Sequence, residues 1–446
     1  MIATANDREP ASMRGCCTRI HALTINWNSL LDQKIHMNSM SATSAVEFLI
    51  WLLIAASAIA IVAKWLRAPY TVALVAGGLI LSVLRLPHVS PLDPGQRPEW
   101  LTPEVILIFF LPALVFEGSV KLNVRALVRN SAPLLLLAIV GVLLAAVVTG
   151  YLVHWTTGLP VQISLLFGAI ISATDPISVL AIFKELRMDK RLSLIIEGES
   201  LPNDGTAAAL FQIILAGIIA GHFGFIKGAG QFLLAVIGGG VLGSLIGYVA
   251  SRLTMRIDDP EIQITLTAVV AYSSYLLAYQ LHLSGIIATA TAGLVVGNLG
   301  TRECSAQTKT ALVSFWAYVA FIMNSLVFLL IGLEVRVDAL VHAWRPVLLT
   351  VAAVLAGRAF SVYLLVPASN LFAERIPFRW QHVIVWGGLR GALALALALS
   401  LDGGFSDRGL LLDLTFGVVV FSIAVQGLTM KPLLRVLGLA TVPNEG

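Results

Sequence analysis

The stretch EGESLPNDGTAAALFQIILAGIIAG, Glu197–Gly221, decides how this chain is read. Three carboxylates (Glu197, Glu199 and Asp204) and a proline stand directly before uncharged apolar sequence of membrane-spanning quality. An ionisable residue inside a bilayer is costly, so each one is a functional candidate whose partner has to be found. The rest of the chain is made of the same material. Of its 446 residues 58% are hydrophobic and only 12% charged, whereas soluble domains carry about 25% charged residues. The mean hydropathy is +0.88. Segments such as APLLLLAIVGVLLAAVVTGYLV, Ala132–Val153, meet the requirement of about 20 apolar residues to cross about 30 Å of hydrocarbon. The fold class is therefore an all-α polytopic membrane protein.

Working outward, thirteen spans are expected near 44–63, 70–86, 104–118, 131–153, 162–183, 200–221, 229–250, 262–281, 283–300, 314–333, 346–372, 380–401 and 409–430, with twelve or fourteen as alternatives because 283–300 is short and 346–372 long. Residues 1–43 are polar and mixed in charge with no apolar h-region, so they read as a disordered tail rather than a signal or transit peptide. MSATSAVEFLIWLL from Met40 looks like a natural start. The transmembrane domain then covers 44–434, and 435–446 is a short tail with no room for a regulatory module. Cys16, Cys17 and Cys304 make no disulfide framework. The net charge of +4 is spread over short loops, so no nucleic-acid partner is implied. Connections after odd-numbered spans, with the C-terminal tail, hold 17 Lys and Arg against 6 in the others. The positive-inside rule then puts the N-terminus outside and the C-terminus in the cytoplasm. Trp51, Trp100, Trp155 and Trp344 near span ends read as interfacial anchors.

The intramembrane charges are Glu117, Asp175, Glu199, Asp204, Arg358 and Arg390. At about 1.5 Å per helical residue, Asp175 and Asp204 both reach the neighbourhood of the midplane on consecutive antiparallel helices. Thr174-Asp175-Pro176 interrupts span 5, because proline removes a donor and disfavours helix at the residue before it. Gly387, Gly388 and Gly391 surround Arg390 in span 12. Two broken helices in halves of opposite topology are the mark of inverted-repeat secondary transporters. Freed carbonyls near Thr174 suit a cation, and an arginine suits exposed helix C-termini. Plainer readings exist for several residues. Glu117 can pair with Lys121 at i,i+4, Glu199 can form a structural salt bridge, and Arg358 and Arg390 can be structural counter-charges. Asn203 can cap a helix starting at Asp204, and the run GGGVLGSLIG, Gly238–Gly247, is explained by close helix packing.

Six collinear stretches resemble the sodium/proton antiporters of the NhaP and mammalian NHE type. They are FFLPALVFEGS, SATDPISV, EGESLPNDGTA, LHLSGIIATATAGLVVGN, NSLVFLLIGLEV and VWGGLRGALALALAL. The resemblance implies a sodium (or lithium) site at Asp204, Asp175, the Ser200 hydroxyl and the Thr174 carbonyl, with Asn203 beside Asp204 and Glu117 acting through water. It implies that Glu199 pairs with Arg358 and that Arg390 supports the break in span 12. The electrogenic branch has two adjacent aspartates where this chain has Asn203-Asp204, which implies electroneutral exchange of one cation for one proton. Pro202 departs from the expected pattern and would tighten the turn into span 6. A homodimer in the plasma membrane, with sodium, proton and lipid as partners and no cofactor, completes what the resemblance implies. Cation and proton would compete for Asp204. A six-helix bundle around spans 5, 6, 12 and 13 would carry them against a dimerised scaffold. Potassium/proton exchange is the alternative within the family. A cation channel and an intramembrane aspartyl protease are the alternatives outside it, though TDP and NDG do not resemble the protease motifs.

Overall fold

The computed structural model describes residues 27–66, 69–84, 106–222, 224–254, 257–302, 304–335 and 337–439. Trp100, Cys16, Cys17 and residues 440–446 of the C-terminal tail lie outside the described residues, as does most of the N-terminal tail. The chain divides into two units, Met1–Trp51 and Leu52–Gly446. Among the described residues every regular element is helical.

Helix α1 (Trp27–Leu66) begins well before the span expected at 44. Within the larger unit follow α2 (Tyr70–Leu84), α3 (Leu107–Val120), α4 (Ser131–Thr157), the halves α5a (Val161–Ser172) and α5b (Ile177–Glu185), and α6 (Lys190–Ala220). Next come α7 (Phe225–Thr254), α8 (Pro260–Gln280), α9 (Gly285–Gly300), α10 (Ala306–Glu334) and α11 (Trp344–Ser369). The halves α12a (Phe378–Trp386) and α12b (Ala392–Leu399) and then α13 (Arg408–Val436) complete the chain. Nine of the described segments are long and apolar enough to cross a membrane; α2, α3 and α9 are shorter, and α12 is interrupted. The protein is a multi-pass membrane protein.

Two layers, each with its own core, make up the larger unit. Leu137, Phe183, Ile195, Val362, Val383 and Met430 bring α4, α5b, α6, α11, α12a and α13 around one buried cluster. Phe116, Val270, Ala292 and Trp316 do the same for α3, α8, α9 and α10. Helix α7 packs on α9 and α2 on α10, so both belong to the second layer. Small residues allow these approaches. A Cβ added at Gly243 would collide with the Ala288 carbonyl, which makes the glycine run of α7 a packing surface against α9. Helix α6 is the main element touching both layers.

The connections after the odd-numbered helices are tied to one another. Glu374 after α11 bridges Arg129 before α4 and Arg191 at the start of α6. Lys431 near the end of α13 meets Glu185 at the end of α5b. Asp258 after α7 accepts from the Ser305 backbone N–H and the Thr308 hydroxyl after α9. Those two donors hold the exposed Asp258 carboxyl below the usual range. Asn298 of α9 accepts from the Val124 N–H and donates to the Leu122 carbonyl after α3, so the connections after α3, α5, α7, α9, α11 and α13 share one face.

Candidate functional site

The two interruptions cross each other. Helix α5a ends at Ser172, Ala173 turns extended, and α5b restarts after Pro176. Across from it α12a ends at Trp386 and α12b restarts at Ala392. The Asp175 backbone N–H donates to the Leu389 carbonyl at 2.7 Å, so the breaks exchange a main-chain bond in place of the helical ones they lost. Gly391 is required at this crossing, because a Cβ there would run into the Asp175 side chain.

Exposed helix ends are the cost of such a break, and side chains from four helices meet it. Arg390 Nη1 donates to the carbonyls of Ser172 (2.8 Å) and Ala173 (3.1 Å), the last of α5a. A cation at a helix C-terminus is favourable for the helix dipole as well. Arg358 Nη2 donates to the Ile384 carbonyl (3.2 Å) and Gln426 Nε2 to that of Trp386 (3.0 Å), which serves the end of α12a. At the start of α5b, Asp175 Oδ1 accepts from the Ile177 N–H at 2.9 Å. Arg390 and Arg358 are therefore placed as counter-charges to helix ends and to Glu199.

Glu199 and Arg358 form a two-pronged ion pair at 2.7 and 2.8 Å across 159 residues of sequence, 2% and 5% exposed respectively. Asn203, wholly buried, lies one turn on. Its Nδ2 donates to Thr174 Oγ1 (3.0 Å) and to Glu199 Oε1 (3.3 Å), linking the ion pair to the broken segment of α5. The Ser200 hydroxyl donates to the Thr174 carbonyl. That carbonyl keeps a second lone pair, and the hydroxyl oxygen keeps its own. Asp204 lies one turn beyond Ser200 on α6. Asp175, Asp204, Thr174, Ser200 and Glu117 all line one cavity of 360 Å³ between the layers, together with Glu197 and Lys121. Glu117 is ion-paired with Lys121, the plainer of its two readings.

All nine residues singled out in the sequence thus converge, five on the cavity and four behind or beside it. Two details of the reading are corrected. Helix α6 starts at Lys190, capped by the Asp189 carboxylate, and runs without interruption to Ala220. Asn203 is therefore mid-helix and caps nothing, and Pro202 sits inside the helix rather than in a turn before it.

The transmembrane sodium/hydrogen exchanger family model matches residues 52–436. The chain belongs to that family. Among its relatives, the exchanger NhaG of Bacillus atrophaeus, described as a Na(+)/H(+) antiporter, is 39% identical over 86% of this chain and 73% of its own length. The Na(+)/H(+) antiporter NhaH of Halobacillus aidingensis is 38% identical over 89% of this chain and 98% of its own. The sodium proton antiporter MjNhaP1 of Methanocaldococcus jannaschii shares the fold, with a TM-score of 0.74 and 20% identity over 89% of this chain and 100% of its own. In this exchanger-family chain the cavity also has a wall without charges. Tyr70 of α2 and Phe321 and Asn324 of α10 face the broken helices from the second layer. Asn324 lies in the quoted stretch NSLVFLLIGLEV, but an uncharged amide in a span gives no electrostatic signal.

Proposed function

We propose that this protein exchanges sodium for protons across the plasma membrane, one for one, by alternating access. The observation that carries the reading is the arrangement around Asp204. It lines the cavity with Asp175, the oxygens of Ser200 and Thr174 stand beside it, and its neighbour is an amide rather than a second carboxylate. Glu199, the other acid of this turn, is committed to Arg358. Hard oxygen ligands of this kind suit a small alkali cation, and the same carboxylate can take a proton instead. Only the neutralised site can move cheaply past apolar surface, and this couples the two fluxes. The separate cores support a moving bundle of α4, α5, α6, α11, α12 and α13 against the layer containing α2, α3 and α7–α10.

With one exchanged proton and one exchanged cation, no net charge crosses. A single uncompensated charge would couple to the potential by about 2.3 kcal/mol per 100 mV. In proteoliposomes, sodium-driven pH change is expected to run at the same rate at zero potential and at about 100 mV of either sign. Acceleration by one sign would overturn the one-for-one exchange. Sodium, lithium and potassium tested separately decide the cation: flux with potassium alone would replace sodium by potassium, and flux without a counter-gradient would make the protein a channel.

The excess of basic residues in the connections after odd-numbered spans supports an N-terminus outside and a C-terminus inside. Lys121 and Glu197 lie near the face of the connections after α3 and α5, so the cavity opens toward the cytoplasm in this reading. A thiol introduced at Gly158 should react with an impermeant reagent from outside, and one at Asp189 should not. The reverse pattern would invert the topology.

A further inference from the structure

The cavity contains four carboxylates, Glu117, Asp175, Glu197 and Asp204, and among the described residues lining it one cationic side chain, Lys121. Lys121 stands just past the C-terminal end of α3. Its side chain turns back one helical turn to the carboxylate of Glu117, which is only 15% exposed, whereas Lys121 itself is 39% exposed. Glu197, on α6, lines the same cavity. The ammonium group therefore stands against a carboxylate of the cavity at the mouth, where an entering cation would first lose water.

We propose that Lys121 is a tethered cation that holds the Glu117 position while the cavity is empty and is displaced by the entering alkali ion. It thereby sets the apparent cation affinity from this face. An i,i+4 pair partly open to water is weak. Weakness is what displacement requires, since a tightly held lysine would close the site. Its location matters as much as its strength. The same pair on a solvated helix face would leave ion binding unaffected, but here it neutralises a carboxylate of the cavity itself. Lys121 is attached to α3 of the second layer, whereas Asp175 and Asp204 belong to the first. A bundle that moved away with its ion would leave lysine and glutamate to re-form their pair behind it, and the emptied mouth would not retain the ion. The inference rests on the cation-transport reading above, and its test is a binding measurement that does not need transport.

Equilibrium binding of radioactive sodium to the purified protein, at constant ionic strength set with N-methylglucamine chloride, compares wild type with Lys121→Gln, Lys121→Arg, Glu117→Gln and the Lys121→Gln/Glu117→Gln double variant. Lys121→Met replaces the glutamine variant if that one melts abnormally. Lys121→Gln is expected to tighten sodium binding about three- to fivefold, the upper scale of releasing a carboxylate from a partly exposed ion pair. Lys121→Arg should bind as wild type does. With Glu117 already amidated, Lys121→Gln should bring no further tightening. In flux assays Lys121→Gln should lower the KM for sodium by the same factor. Affinity within twofold of wild type in Lys121→Gln would overturn the proposal. So would equal tightening in the Glu117→Gln background, since it would mean general repulsion rather than occupancy of that carboxylate. Saturable sodium binding without any flux would remove the exchange function and still leave this inference to be judged on the binding data.

Discussion

Asp204→Asn is expected to reduce sodium-dependent proton flux to the level of empty liposomes while the purified protein remains monodisperse and melts near wild type. The amide has nearly the volume of the carboxylate, so packing against Thr174 and Ser200 survives. What is lost is the ability to carry a proton in one half of the cycle and a negative charge for the cation in the other. Asp175→Asn keeps an oxygen toward the cavity and can still accept from the Ile177 N–H. Its expected effect is a severe rise in the KM for sodium with residual exchange. Near-normal coupled exchange in Asp204→Asn, measured as internal pH change driven by a sodium gradient, would eliminate Asp204 as the carrier.

Glu199→Ala should act on stability rather than on ion chemistry. It leaves the buried Arg358 guanidinium without its carboxylate and removes an acceptor from Asn203 Nδ2. Breaking a buried pair from one side costs about 3–5 kcal/mol, because the remaining charge has neither water nor partner. The melting temperature in detergent should fall well below that of wild type. Removing both charges with Glu199→Leu and Arg358→Met should recover much of the loss, since an apolar pair of similar volume carries no desolvation penalty. That recovery would still leave the Ile384 carbonyl without its donor. If Glu199→Ala melts like wild type, the pair is not what holds this turn of α6 against α11.

Both predictions concern residues that could be found in the sequence, and they differ in how much of their role could be. That Asp204 and Asp175 lie at membrane depth follows from counting residues along apolar helices, because a bilayer forces a buried carboxylate to declare itself against its surroundings. That Glu199 is held by Arg358 rather than by Arg390 is not legible in that way. The two arginines occupy similar depths on neighbouring spans, and the choice is made by packing of α6 on α11 and by the helix ends each guanidinium serves. The family resemblance named the partner; spacing alone did not. Likewise Pro202 suggested a helix boundary by its local preference, but tertiary packing carried α6 straight through it from Lys190.

The sequence by itself determined the membrane class, the positions of the apolar segments, the two breaks and the distribution of basic connections. These depend on local quantities: transfer of side chains to hydrocarbon, the missing donor of Pro176, and the lack of a Cβ at Gly387, Gly388 and Gly391. Only the tertiary structure decided that the breaks cross through the Asp175–Leu389 bond, that Arg390 closes the end of α5a, and that the helices form two separately cored layers with a cavity between them. It also decided that the Glu117–Lys121 pair, legible from its i,i+4 spacing, stands at the mouth of that cavity and that Asn324 lines it from the second layer. Partner choice and cavity shape are set by groups far apart in the chain, because buried charges and open helix ends are satisfied by whichever group the packed helices bring within reach.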